Sequence, residues 1–349
     1  AGTSATLERN PDYWMDDPMV PDLHNQLPYL DGFKVLIIPD SSTRLAGIRT
    51  GKLDHLGSPL TTLDWSDAIS LIRTSPDLKY SGTISTNNAI GIALRIFDRP
   101  EKPWYDIRVR RAMNMAIDRE TIAQEYYQGL AETYYAPIPP YTNYKNYFTP
   151  LEELPQEVRE LYEYHPDKAK QIMVEAGYPD GFKASVICIN TQVDWLSIIK
   201  AQWAEIGIDL ELDVREFGAW TAIHSKRSLE EMIDDSCTAN VPSLMLKVQP
   251  DNRWNMAIID DPKINQAFQE VSASYFDPPK KDKILKEIWQ YIQALVLDVP
   301  IVVPKTYTFW QPWVMNYTGE IGQCYTTNLD YPRNIWVDQD LKQEMTGRR

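Results

Sequence analysis

Cysteine is scarce in this chain. Cys188, Cys237 and Cys324 are the whole complement, none in CxxC spacing, so at most one disulfide can close and no disulfide framework holds the fold. Histidine is equally thin. His24, His55, His165 and His224 stand apart without a second histidine or cysteine at ligand spacing, and no metal site is expected from them. Basic runs are missing, and the formal net charge is −14. Without clustered Lys and Arg to displace counterions, neither nucleic acid nor an anionic membrane is an expected partner; the acidity serves solubility. No apolar run approaches the roughly 20 residues that span a bilayer, and there is no leader or lipid-attachment cysteine. The signatures GxSxG, HExxH, Walker A, GxGxxG and CxxC are absent, and no spacing singles out a carboxylate pair. The expectation is a protein that is not an enzyme and carries no cofactor.

What is present describes a folded chain. Apolar residues make up 43% and charged residues 24%, an ordinary globular balance. With 349 residues the chain exceeds the size at which one core stops growing, so two lobes are expected. Eleven Trp and twenty Tyr outnumber eight Phe. Those two side chains join an apolar face to a hydrogen-bonding edge, which suits a wet cleft as well as a core.

Hydrophobic periodicity places the elements. Phe33 to Ile38 reads as a buried strand ending at Pro39, followed by a helix that the Asp40-Ser41-Ser42-Thr43 stretch can cap and Gly51 can stop. Ile90 to Phe97 is extended. From Asp106, Val109, Ala112, Met113, Ala116 and Ile117 mark a buried helix face, with Arg108, Arg110 and Arg111 on the solvated remainder. Asp118 can cap a continuation through Tyr126, and the prolines between Tyr134 and Tyr141 exclude regular structure. Helices over 165–177 and 196–206 flank a strand over 184–189. After Gly207, Ile208, Leu210, Leu212 and Val214 alternate with acidic residues as a half-buried strand. Two helices, beginning near Pro262 and Pro279, precede a strand over 299–304, and residues 307–349 read as aromatic and irregular. Helix–strand units of this kind imply an α/β lobe.

Several of these segments resemble one family. Asn10-Pro11-Asp12-Tyr13-Trp14, Pro39 to Arg44 with Gly51-Lys52-Leu53-Asp54, Val109 to Arg119, Asp167 to Lys170 with Ala176 to Gly181, and Trp203 to Ile208 follow, in order, signatures of the family 5 solute-binding proteins. These are the peptide and nickel receptors of ABC importers. The resemblance implies a periplasmic-binding-protein-like two-lobe α/β fold (type II, cluster C) that closes on its ligand by a hinge. Lobe one would comprise 1–94 plus 309–349 and lobe two 95–308, with crossing strands near Ile92–Phe97 and Ile301–Phe309. The family's N-terminal third is not represented, so lobe one is expected to be incomplete and to expose apolar surface or find a partner for it. The implied role is extracytoplasmic, periplasmic or cell-surface capture of a small solute, peptide or sugar, for a membrane permease. Any membrane anchor would lie in the N-terminal portion not represented here. A sensory receptor domain or a hydrolase on the same scaffold is the alternative.

For the ligand, the stretch Asp234 to Ser243 resembles a family segment whose aspartate meets a peptide's α-ammonium. Asn240 stands at the matching place, Cys237 stands where a tryptophan is common, and Thr238 lies between them. A neutral amide suits hydroxyls better than a cation, which favours a neutral or anionic ligand such as an oligosaccharide; an ordinary loop asparagine is the competing account. Trp220, Tyr307, Trp310, Trp313 and Tyr325 are candidate cleft aromatics, with core packing as the alternative. Arg95 is a candidate for a ligand carboxylate, or else a structural ion pair.

Overall fold

The computed structural model describes residues 3–57, 63, 65–84, 89–133, 145–236, 246–319 and 331–348. In chain order the elements are β1 (Ser4–Glu8), β2 (Gly32–Leu36), α1 (Ser41–Arg49), β3 (His55–Leu56), α2 (Trp65–Thr74), β4 (Lys79–Ile84), β5 (Ile90–Leu94), α3 (Ile107–Met115) and α4 (Arg119–Thr121). They continue with β6 (Ala131–Glu132), α5 (Gln156–Arg159), α6 (Pro166–Glu175), β7 (Phe182–Ile189), α7 (Val193–Glu205), β8 (Ile208–Arg215), α8 (Phe217–Lys226) and β9 (Met232–Asp234). Last come α9 (Pro262–Ala273), α10 (Pro278–Leu295), β10 (Asp298–Trp310), β11 (Val314–Met315), β12 (Trp336–Val337) and α11 (Gln339–Thr346). The chain forms two compact units, Ala1–Ser85 with Lys305–Arg349, and Thr86–Pro304.

The second unit is built on a mixed sheet in the order β8–β7–β9–β5–β10. β7 and β8 are parallel, Phe182 opposite Ile208 through Ile189 opposite Arg215, with α7 as the crossover that parallel strands require. β9 also runs parallel to β7, while β5 pairs antiparallel with β9 and β10 antiparallel with β5. Sequence periodicity accounts for the packing: Ala184, Val186 and Cys188 on β7 and Trp195, Leu196, Ile199 and Trp203 on α7 are buried. Several of the helices start on side-chain caps. Asp106 accepts from Arg108 N (2.8 Å), Asp118 from Thr121 N (2.9 Å), and Asp261 from Lys263 N (2.8 Å). After α4 the backbone widens into a π-type turn over Ile122–Tyr126.

Arg110 corrects the sequence reading. It is not on a solvated face but 3% exposed, donating to the carbonyls of Trp104 (2.7 Å), Tyr105 (2.9 Å) and Leu295 (3.0 Å). Leu295 is the last residue of α10, so the guanidinium meets the negative end of that helix. Burial lowers the Arg110 pKa to about 10, and it remains charged at neutral pH. Arg119 is buried in the same manner. It donates to Pro300 O (2.9 Å), Asn114 O (3.0 Å), Leu161 O (3.1 Å) and Asn114 Oδ1 (3.0 Å). A planar fork with five donors can join three backbone segments in this way, where an apolar side chain would leave their carbonyls unmet.

In the first unit α1 begins as expected, with Asp40 accepting from Thr43 N at 2.7 Å. Its Leu45 and Ile48 pack with Leu56, Leu71, Tyr307 and Phe309 in one core. β4 lies antiparallel to the last residues of β10, Ile84 opposite Lys305 through Lys79 opposite Trp310. Two expectations fail here. The strand at residues 32–36 is not buried: among the described residues it pairs only with β1, as a two-stranded ribbon, and Leu7, Val35 and Leu36 are exposed on it. A short β-branched run reads the same whether or not anything covers it. The region beyond residue 307 is also not irregular throughout, since β10 continues to Trp310 and β11, β12 and α11 follow. Pro300 and Pro304 punctuate β10 without ending it, because ladder hydrogen bonds resume on either side.

Candidate functional site

The carboxyl ends of parallel strands are where an open α/β sheet presents loops to a ligand, above all where strand direction changes. In the second unit that place is the end of β9, flanked by parallel β7 and antiparallel β5. It carries two adjacent carboxylates in different states. Asp234 is buried and accepts a hydrogen bond from the Trp220 indole Nε1–H. Burial pushes its pKa up to about 7; the indole opposes that rise and the charge of Asp235 adds to it. Asp235 is ionised. Burial would raise its pKa too, but the Lys247 ammonium, whose Nζ lies 2.8 Å from Oδ2, together with His224 holds it below the usual carboxylate range.

Helix α8 supplies the aromatic side of this cluster. Trp220 and His224 are four residues apart, hence on one helix face, and their rings stack 4.9 Å apart at 30°. Phe217 stacks on Trp220 at 6.1 Å, and Trp254 meets His224 edge-on at 4.9 Å. His224 Nε2 lies 3.7 Å from Asp235 Oδ1.

Beside this cluster, and wholly within the second unit, lies a partly open cavity. Asp235 and Lys247 form part of its wall, with Asn114, Tyr162, Gln293 and Asp298 as further polar groups. The rest is apolar or aromatic and includes Leu161, Val248, Met256, Ile292, Val296 and Leu297, with Trp254 and Trp289. A mostly apolar wall with few convergent polar groups is the usual make-up of a small-molecule site. Among the described residues no group of three or more His, Cys, Asp or Glu is placed to hold a metal ion, and no helix is long and apolar enough to cross a membrane.

The residues singled out from sequence are dispersed. Trp220 sits in the Asp234 cluster. Arg95 is engaged by Asp98, with Nη2 to Oδ2 at 2.6 Å, and by the carbonyls of Arg227 and Leu229, both at 2.7 Å. Tyr307, Trp310 and Trp313 are in the interior of the first unit: Tyr307 packs with Phe309, Trp310 lies edge-on to Tyr317 at 4.8 Å, and Trp313 donates to Asp54 Oδ1 at 2.7 Å. Cys237, Thr238, Asn240 and Tyr325 lie outside the described residues. Sequence reasoning missed His224, Lys247, Trp254 and Trp289. Only the Trp220–His224 spacing carried a signal; loop geometry brings in Lys247 and Trp254.

Residues 1–243 match the family model described as bacterial extracellular solute-binding proteins, family 5, middle. The chain belongs to this family. Among curated relatives, the glutathione-binding protein GsiB of Salmonella paratyphi A is 23% identical over 313 residues, covering 84% of this chain and 57% of that protein. Among solved structures, the periplasmic binding protein DppA of Helicobacter pylori in complex with the peptide STSA superposes with a TM-score of 0.72 at 21% identity, covering 96% of this chain and 60% of that one. AgaA of A. tumefaciens R10, in complex with agropinic acid, gives a TM-score of 0.74 at 20% identity, covering 97% and 65%. The chain thus spans less than two thirds of each of these proteins, and its fold is theirs. The family 5 segments recognised in the sequence lie mostly on scaffolding: Asp118 caps α4, Arg119 ties carbonyls, and Gly181 and Gly207 touch backbone to backbone.

Proposed function

We propose that this chain is the larger part of an extracytoplasmic solute receptor of an ABC importer, with Ala1–Ser85 plus Lys305–Arg349 as part of lobe one and Thr86–Pro304 as lobe two. The observation that carries the reading is the cavity beside the Asp234–Asp235 cluster, in a chain whose family binds solutes. Its role is to capture a small solute outside the cytoplasm and deliver it to a membrane permease.

The charge state of the cluster narrows the solute. A free peptide terminus needs a carboxylate partner when it is buried, because an unpaired ammonium in a dry site costs several kcal/mol. Asp235 is already matched by Lys247, and Asp234 holds its proton until about pH 7. Neither offers a spare negative charge, which supports a neutral or anionic solute over one bound by a free ammonium. Mass spectrometry of the solute that co-purifies with the full-length protein tests the receptor reading. Calorimetry with a dipeptide and its N-acetylated form tests the charge: tight binding lost on acetylation overturns it.

A further inference from the structure

Helix α8 starts two residues beyond the end of β8, at the carboxyl ends of the parallel strands where an open α/β sheet receives ligands. Its Phe217, Trp220 and His224 follow the 3-and-4 spacing that puts side chains on one helix face. Their rings make a near-parallel stack, with 11° between Phe217 and Trp220 and 30° between Trp220 and His224. The inner end of the stack is closed. His224 is buried and meets Trp254 edge-on, while Trp220 is fixed by its N–H to Asp234 and by packing against Leu229, Ile233 and Met256. The outer end is open. Phe217 is 64% exposed, and among the described residues Trp220 is the one ring against it. A lone exposed phenyl means little, but this one terminates a stack that is locked behind it, so its outer face is ordered before anything binds.

We infer that Phe217 and Trp220 form a stacking shelf for the C–H face of a pyranose ring in the solute, with Phe217 as the ring it touches. The face of an aromatic ring is negative and attracts polarised hydrogens, whereas a second aromatic ring laid squarely on it sets like quadrupoles together. The charged groups at this end of the helix ask for no countercharge. Glu216 accepts from Gly218 N (2.7 Å) and Ala219 N (3.3 Å), and Arg215 Nε pairs with Asp213 Oδ1 at 2.7 Å. Because the shelf is open at its edge, the hydroxyls on the sugar's rim keep their water and none is left unmet. A cation would also be drawn to the face of Phe217, but cation recognition typically uses a cage of several rings, and here one face is presented. The inference rests on the receptor reading for its biological meaning, while its test addresses the shelf alone.

The test titrates the full chain, by calorimetry and saturation-transfer NMR, with methyl β-glucopyranoside; with glucitol, which keeps the hydroxyls but has no ring; and with uridine and choline. The glucoside is expected to bind with a dissociation constant of about 1–10 mM, with transfer strongest to the ring hydrogens of one face. Glucitol should bind at least about fivefold more weakly for want of that face. Phe217→Ala should weaken the glucoside about five- to tenfold, and Phe217→Trp should retain it. Phe217 is exposed, so both variants should melt with the parent chain. Glucitol binding as tightly as the glucoside, transfer spread evenly over the sugar, no effect of Phe217→Ala, tighter binding of uridine or choline, or no binding of the glucoside overturns the inference. Those outcomes leave the receptor reading untouched, because the solute that co-purifies with the full-length protein decides that separately.

Discussion

Lys247 Nζ stands 2.8 Å from Asp235 Oδ2, and this ion pair sets Asp235 apart from its neighbour Asp234. One carboxylate is ionised and matched; the other is buried against an indole and holds a proton near neutrality. Adjacent residues at one strand end thereby acquire different chemistry from the groups that fold against them.

Lys247→Met should expose the cost of that arrangement. An unmatched carboxylate left in the wall destabilises the second unit by about 3–5 kcal/mol. Adding Asp235→Asn to it should recover much of the loss. Urea denaturation of the single and double variants measures this, and a single variant as stable as the parent chain would refute it.

Asp234 predicts a pH dependence of opposite sign to that of an ion-paired carboxylate. Its folded pKa, about 7, is raised above the ordinary value of 3.8. Its contribution to stability is therefore complete below about pH 4 and is lost as pH rises through about 7. The loss amounts to about 4 kcal/mol at alkaline pH on the scale of 1.36 kcal/mol per pKa unit. Asp234→Asn should remove this dependence and make the protein more stable than the parent at pH 8. Thermal melts from pH 5 to pH 9 that show parallel profiles would rule it out.

Arg119→Lys tests the buried fork. An ammonium cannot reach Pro300 O, Leu161 O and both oxygens of Asn114 at once, so a loss of about 2–4 kcal/mol is expected despite the conserved charge. Hydrogen exchange should show the Leu161 and Pro300 segments loosening first. Unchanged protection there would contradict a tying role.

Gly181→Ala addresses the approach of two turns. A Cβ at Gly181 would stand 1.7 Å from Gly207 O, and Gly181 has φ +72°. Backbone must move for the change to be accommodated, so the β7–β8 start should open at a cost of at least about 3 kcal/mol. Gly177→Ala, at φ +95° but with nothing within 4 Å, meets the backbone strain without the clash and should cost less. Comparable melting temperatures for the two variants would argue against the steric account.

The sequence by itself determined the α/β character of the second unit and most of its elements. Local signals suffice there: alternating residues on β8, 3-and-4 spacing on α3 and α7, and aspartate caps at Asp106, Asp118 and Asp261 all act within a few residues. The family was legible for the same reason, because its motifs are turns, caps and close glycine contacts written contiguously in the chain. Only the tertiary structure decided the fates of polar and aromatic side chains. Arg110 looks like a surface residue until the C-terminal carbonyl of α10, 185 positions away, arrives beside it. Trp313 looks like a cleft aromatic until Asp54 receives its N–H. The charge on Asp235 depends on Lys247 and the proton on Asp234 depends on burial, and neither can be read from the strand that carries them. Periodicity reports which face is apolar; partners at long range decide whether a polar group is solvated or paired.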